Sequence, residues 1–203
     1  MLKPNLIPRF NIEYRFSDLV YGMLSALKND GCDLNLLKEI FGGENIFFTN
    51  SGRTSLYVIL RSLNLPKGSR VGVPLYSCTV VFDAIIKAGY TPYFLDIDLD
   101  NYTLDPQYLK EHIENIDAIV VIHTFGRPAD MDEIKKIAKD TPVIEDCAHS
   151  LLSEYRGKKT GTLGNASFFS LAKYVSAGEG GMIIVNDSKL VDEVQKEVNS
   201  LSN

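Results

Sequence analysis

The sequence predicts an α/β domain: a three-layer sandwich in which helices cover both faces of a mostly parallel, seven-stranded sheet. Three observations carry that prediction. From about residue 45, seven short β-rich runs alternate with helical patterns. Most of the runs are almost wholly apolar, as in strands buried on both faces. The segments between them carry helix start and stop signals.

In chain order, residues 1–44 form an N-terminal helical segment, ahead of a domain over residues 45–203. Its irregular, aromatic-rich stretch 8–29 is a candidate subunit contact; the alternative is a helix packed on its own domain. The strands are expected at 45–50, 70–74, 91–97, 118–124, 142–148, 166–171 and 181–186. A helix over 54–64 begins with a hydroxyl cap and ends before Pro66-Lys67-Gly68. The next, over 77–89, stops at Gly89. Asp105 is the N-cap of a third, with Pro106 at its first position. The fourth, within 130–140, puts acids first and lysines last, as the helix dipole favours. The last two strands are separated by residues 172–180, too few for a parallel crossover, so they are antiparallel or not adjacent. The stretch RGKKTG (156–161) reads as an exposed hairpin with solvated charges.

Composition excludes several classes of function. The net charge is −5 and no basic block is present, which argues against a nucleic-acid partner. The longest apolar runs, such as Ala118 to Ile122, are too short to span a bilayer. Pro4, Pro8 and charges stand where a signal peptide needs an apolar core. Cys32, Cys78 and Cys147 are scattered, without metal spacing, and fit free thiols in a reducing cytoplasm.

Ligands of open α/β sheets collect at the carboxyl ends of strands. The informative residues are therefore Ser51 to Thr54, Leu75 to Cys78, Asp96 to Asp98, His123, Asp146 with His149, Ser170 and Lys173. The stretch TNSGRTSL (49–56) joins a strand to a helix through Gly52. Helix N–H groups there suit an anion, although an ordinary capped helix has the same pattern. Asp146 ends a buried strand, where a carboxylate is costly unless paired or solvated. It either caps the next segment or holds a protonated ring nitrogen, as pyridoxal phosphate requires. His149 is then placed to meet the ring or its phenolic oxygen, or is structural. Lys173 precedes the cluster Gly178 to Gly181, and a lysine in such a setting suits a carbonyl cofactor.

These stretches resemble the nucleotide-sugar aminotransferases of the DegT–StrS type. The matching pieces are SGRTSL, VGVPLYSCTVVFDAIIKAGYTPYFLDIDLDNYTLD, VVIHTFGRPADMDEIKKIA, VIEDCAHSL, GKKTGTLGNASFFS and KYVSAGEGGMIIVND, in order over most of residues 46–187. The resemblance implies the aspartate-aminotransferase (type I) fold and pyridoxal phosphate as cofactor. It makes Lys173 the catalytic, Schiff-base lysine and pairs Asp146 with the pyridine nitrogen. It puts His149 near the ring oxygen, and the amides of Arg53 and Thr54, helped by Ser170, on the phosphate. The implied reaction transfers an amino group, commonly from glutamate, to a nucleotide-linked keto sugar in a cytoplasmic homodimer. Lys173 argues against the dehydratases of the family, which carry histidine there.

The sequence departs from the family pattern in three ways. Cys78 holds the position of the aromatic that stacks on the cofactor, with Tyr76 the nearest ring in sequence. Ser170 and Lys173 are two residues closer than is usual. The chain stops after the last large-domain strand, so the C-terminal small domain is expected to be absent. The alternative function is a non-catalytic cofactor-binding, assembly or regulatory domain of the same fold.

Overall fold

The computed structural model describes residues 15–28, 33–173 and 179–201. Two helices come first, α1 (Phe16–Lys28) and α2 (Leu34–Phe41), followed by strand β1 (Asn45–Thr49). Helix α3 (Gly52–Ser62), β2 (Arg70–Pro74), α4 (Thr79–Lys87) and β3 (Thr91–Leu95) come next. Then follow α5 (Pro106–His112), β4 (Ala118–Ile122), α6 (Met131–Ala138) and β5 (Val143–Asp146). A small hairpin of β6 (Glu154–Tyr155) and β7 (Lys158–Lys159) precedes β8 (Ala166–Ser170), β9 (Gly181–Val185) and α7 (Val191–Ser200).

The sheet has seven strands in the order β1-β9-β8-β5-β4-β2-β3. The pairs β2–β3, β2–β4, β4–β5 and β5–β8 are parallel. Among the described residues, β9 is the strand that runs against its neighbours, antiparallel to β8 and to β1. The short β8–β9 connection leads to antiparallel pairing, one of the two outcomes its length allows.

Apolar runs become strands buried on both faces: every residue of β4, β5 and β9 is buried. On one face Leu56 and Ile59 of α3, Ile85 of α4 and Val194 of α7 pack against Val73, Val120 and Ile183. On the other, Leu109 of α5 and Ile134 of α6 meet Ile119 and Val121. Phe41 of α2 closes a third cluster with Phe169, Met182 and Ile184, its ring edge-on to Phe169 at 5.3 Å. Burying each such side chain contributes on the order of 1.5–3 kcal/mol.

Local chemistry sets the helix ends. Asp105 accepts the Gln107 N–H ahead of Pro106, and Asp130 accepts the Glu133 N–H at the start of α6. Gly89, at φ 92°, lets the chain leave α4 through a left-handed turn. Helix α3 begins earlier than the sequence suggests. Its cap is Ser51, whose Oγ accepts the Thr54 N–H at 3.2 Å, so Thr54 lies inside the helix. The hairpin charges are also not simply solvated. Lys159 Nζ donates to the Glu39 and Ile40 carbonyls at 2.6 and 2.7 Å, satisfying the carboxyl end of α2. Arg156 pairs with Asp132. Cys78 and Cys147 are free thiols, exposed and buried respectively; Cys32 lies outside the described residues.

Candidate active site

The strands of the parallel part point their carboxyl ends at one cavity of about 300 Å³. Its walls include Gly52, Arg53, Tyr76, Cys78, Phe125, Asp146, His149, Ser170 and Lys173. Most of the residues singled out in the sequence therefore meet here. Ser51, Thr54, Leu75, Asp96, Ile97, Asp98 and His123 do not line it. Residues 174–178, which include Gly178 of the glycine cluster, lie outside the described residues.

Each wall residue has a local reason for its place. Gly52 opens α3 against the end of β8, where an added Cβ would come within 3.2 Å of Ser170 Cβ. That close approach brings the amino end of α3 beside Ser170. The Thr54 amide is already used by the Ser51 cap, and the Thr54 hydroxyl donates to Asn50 Oδ1 at 2.6 Å. Gly181 has a related task. A Cβ there would sit 2.3 Å from Ser51 O, so glycine alone lets β9 start against the α3 cap.

Asp146 closes β5 with its side chain in the cavity wall and is 6% exposed. Its Oδ1 accepts the Ala148 N–H at 2.9 Å. Burial pushes its carboxyl above the usual range, partly offset by that bond and by the charge of Lys173. A cation held against it would restore the charged form. Lys173 stands on the turn directly after β8, with Nζ 3.1 Å from His149 Nε2. An ammonium there donates to Nε2. The His149 ring lies nearly parallel to Phe125, at 11° and 5.7 Å between centroids. Tyr76 lines the cavity and packs its ring on Tyr102 at 5.8 Å, and the exposed Cys78 precedes α4 without a side-chain cap bond.

One residue behind the wall, a second carboxylate does something different. Glu145 is fully buried and accepts the N–H groups of Gly161, Leu163 and Gly164 at 2.9, 2.7 and 2.6 Å. His123 accepts the Ala129 N–H at Nδ1, 3.1 Å away. Its hydrogen therefore sits on Nε2, which donates to Glu145 Oε2 at 2.9 Å. Cys147 completes a buried trio with these two. Burial pushes its thiol well up, and the carboxylate and imidazole already bond each other, so the group is a clasp in the core. Neither this clasp nor Phe125 and Thr124 in the cavity wall was marked as functional in the sequence beyond His123 itself. The adjacent Phe125-Gly126 pair after an apolar strand is the signal that could have found the turn.

A model of the DegT/DnrJ/EryC1/StrS aminotransferase family matches residues 35–200. The chain belongs to that family. Among its DegT relatives, a GDP-perosamine synthase of Escherichia coli O157:H7 is 36% identical over 148 residues, covering 70% of this chain and 41% of that protein. A pleiotropic regulatory protein of Geobacillus stearothermophilus is 34% identical over 199 residues, 95% of this chain and 52% of its own length. The solved aminotransferase of Psychrobacter cryohalolentis superposes with a TM-score of 0.84 at 25% identity, over 90% of this chain and 50% of that one. This chain thus spans about half the length of the DegT relatives it matches, and its type I fold is that of their solved structures.

Proposed function

We propose that this chain binds pyridoxal phosphate in the cavity and belongs to an aminotransferase acting on a nucleotide-linked keto sugar, with glutamate as amino donor. One observation carries this above all: Lys173, Asp146 and the amino end of α3 border a single cavity at the carboxyl ends of the parallel strands. The residues fit the cofactor by their chemistry. The buried Asp146 carboxyl makes no ion pair among the described residues and would pair with a protonated ring nitrogen. Lys173 would hold the aldehyde carbon covalently. The Arg53 amide, the Thr54 segment and Ser170 would face the phosphate, with His149 beside the ring oxygen.

When bound, pyridoxal phosphate supplies the electron sink that lets an amino group leave one carbon and join another. The chain's own residues do the rest. Lys173 Nζ, once freed by the donor, takes and returns the proton at the reacting carbon. Asp146 keeps its partner nitrogen charged, because ion pairing in a buried setting favours the ionised pair. His149 holds Nζ on the cavity side through the 3.1 Å contact.

The protein works as a homodimer in the cytoplasm, in this view, and residues 1–44 contribute to the subunit contact. Phe16, Tyr21 and Leu27 of α1 are 80%, 76% and 81% exposed. Apolar side chains so exposed on one helix suit a partner surface. No helix among the described residues is long and apolar enough to cross a membrane.

The test is borohydride reduction of the protein mixed with pyridoxal phosphate, followed by peptide mapping. The cofactor should be fixed on Lys173. Fixation only at other lysines, such as Lys158 or Lys159, would sink the assignment. Spectral change on adding glutamate then separates an aminotransferase from a domain that only binds cofactor.

A further inference from the structure

Phe125 is an unusual surface aromatic. It is 67% exposed yet forms part of the cavity wall. Its backbone lies in the left-handed region, at φ 52° and ψ 31°, a conformation that disfavours any residue with a bulky side chain. So exposed a ring gains little from burial to offset that cost.

The strain is held from outside the residue. His123, just before the turn, is fixed by Glu145 on one ring nitrogen and by the Ala129 N–H on the other. Both ends of the 123–129 segment are thereby tied to the core. Within it, the Arg127 N–H closes the turn on Thr124 O at 2.9 Å, and Arg127 Nη1 reaches Asp100 O at 2.9 Å. The result is a ring parallel to that of His149, which is itself 3.1 Å from the Lys173 amine. Positive φ alone is not distinctive, since Tyr102 and Leu152 share it; held in place in the cavity wall beside a reactive amine, it points to a contact with a ligand. At the amino end of α4 the same wall carries the Cys78 thiol and, two residues earlier, the Tyr76 ring.

We propose, building on the pyridoxal-phosphate reading of the cavity, that Phe125 contacts the ligand and presents its ring to a flat heteroaromatic ring. His123 and Glu145 are its positioning residues. Two rings share that chemistry: the pyridine of the cofactor and the base of a nucleotide-linked substrate. Both stack on an aromatic face.

Phe125→Gly separates the ring from the fold, because glycine adopts φ 52° without strain. Phe125→Leu keeps bulk and removes the π face. Each variant and the wild type are titrated by calorimetry with pyridoxal phosphate alone, and separately with uridine and guanosine diphosphates. Their thermal midpoints are recorded without ligand. The midpoint of Phe125→Gly should stay at or above that of the wild type. Both variants should bind one probe roughly three- to tenfold more weakly. Loss confined to pyridoxal phosphate assigns the ring to the cofactor; loss confined to a diphosphate assigns it to the substrate base. Unchanged affinity for every probe, with a lowered midpoint for Phe125→Gly, makes Phe125 a fold residue and overturns the proposal. Wild type that binds none of the probes overturns the cofactor reading as well, whereas normal wild-type binding with unaffected variants overturns only the role of Phe125.

Discussion

Glu145 and Asp146 are neighbours on β5, both buried, and they face opposite sides of the sheet. Glu145 collects three backbone N–H groups and the His123 imidazole. Among the described residues, the Asp146 side chain accepts one hydrogen bond, from the Ala148 N–H. Both positions remove a carboxylate from water, but only the first repays the loss inside the chain. The first therefore fixes loops, and the second, in the proposed reading, is left for the ring nitrogen of the cofactor. Burial alone does not tell a structural acid from a functional one; the inventory of its donors does.

The largest effect should come from breaking the satisfied partner. Glu145→Gln sets an amide against three fixed N–H donors, and should cost about 3–5 kcal/mol. Urea unfolding would show it as a lower midpoint at unchanged slope. A loss below about 1 kcal/mol would mean that the clasp contributes little.

Asp146→Asn should do the reverse. Ligand-free stability should hold steady or rise, since a costly carboxyl is replaced by a neutral amide. Affinity for pyridoxal phosphate should fall by about 1.5–3 kcal/mol, roughly ten- to a hundredfold. Unchanged affinity in a fluorescence titration would remove Asp146 from the ring nitrogen.

The pH dependence sharpens the same contrast. The folded pKa of Asp146 is raised, so between the unfolded value, about 3.9, and the folded one, the native state keeps a proton that the unfolded state has released. Its contribution to stability therefore falls as pH rises through that window and is flat above it. The difference between wild type and Asp146→Asn across pH 4–7, about the range of interest, isolates this slope. A difference that is flat throughout contradicts the raised value.

The smallest effect belongs to an acid at the surface. Asp130 accepts the Tyr155 hydroxyl at 2.6 Å, and that bond, ahead of the others, lowers its pKa. Its contribution is present above the unfolded pKa and is lost as pH falls through the lower folded one. Tyr155→Phe should cost about 0.5–1 kcal/mol near neutrality and less in acid. An equal cost at low pH would point to packing of the ring instead.

Much of this was legible in the sequence, and the reasons differ by element. Strands β4 and β9 showed because burial on both faces writes an unbroken apolar run, as in AIVVI. The length of the β8–β9 connection ruled out a parallel crossover and left the antiparallel pair as one of two outcomes. Lys173, Asp146 and His149 could be placed at the cavity because each stands at or shortly after a strand end, where the topology collects ligands. The clasp was not legible, since His123 and Glu145 lie 22 residues apart and meet only through strand pairing. Phe125 was missed because the Phe125-Gly126 pair marks only a turn, and the left-handed backbone of Phe125 shows only in the structure. The start of α3 was misplaced because Ser51 and Thr54 are both good caps, and only the geometry chooses between them.

The pairing of β1 with β9 also has a consequence in time. Asn45 bonds Val185 across 140 positions of sequence, the costliest kind of loop to close. A chain emerging from the ribosome can pair β2, β3, β4 and β5 long before β9 exists. The Ser51 turn, which leans on Gly180 and Gly181, must wait for that last strand. We expect pulsed hydrogen exchange during refolding to protect β4 and β5 amides before those of β1; simultaneous protection would contradict this order. The amino end of α3 would then be the final part of the cavity to set, so, if that end holds the phosphate as proposed, a nascent chain could not capture its cofactor prematurely.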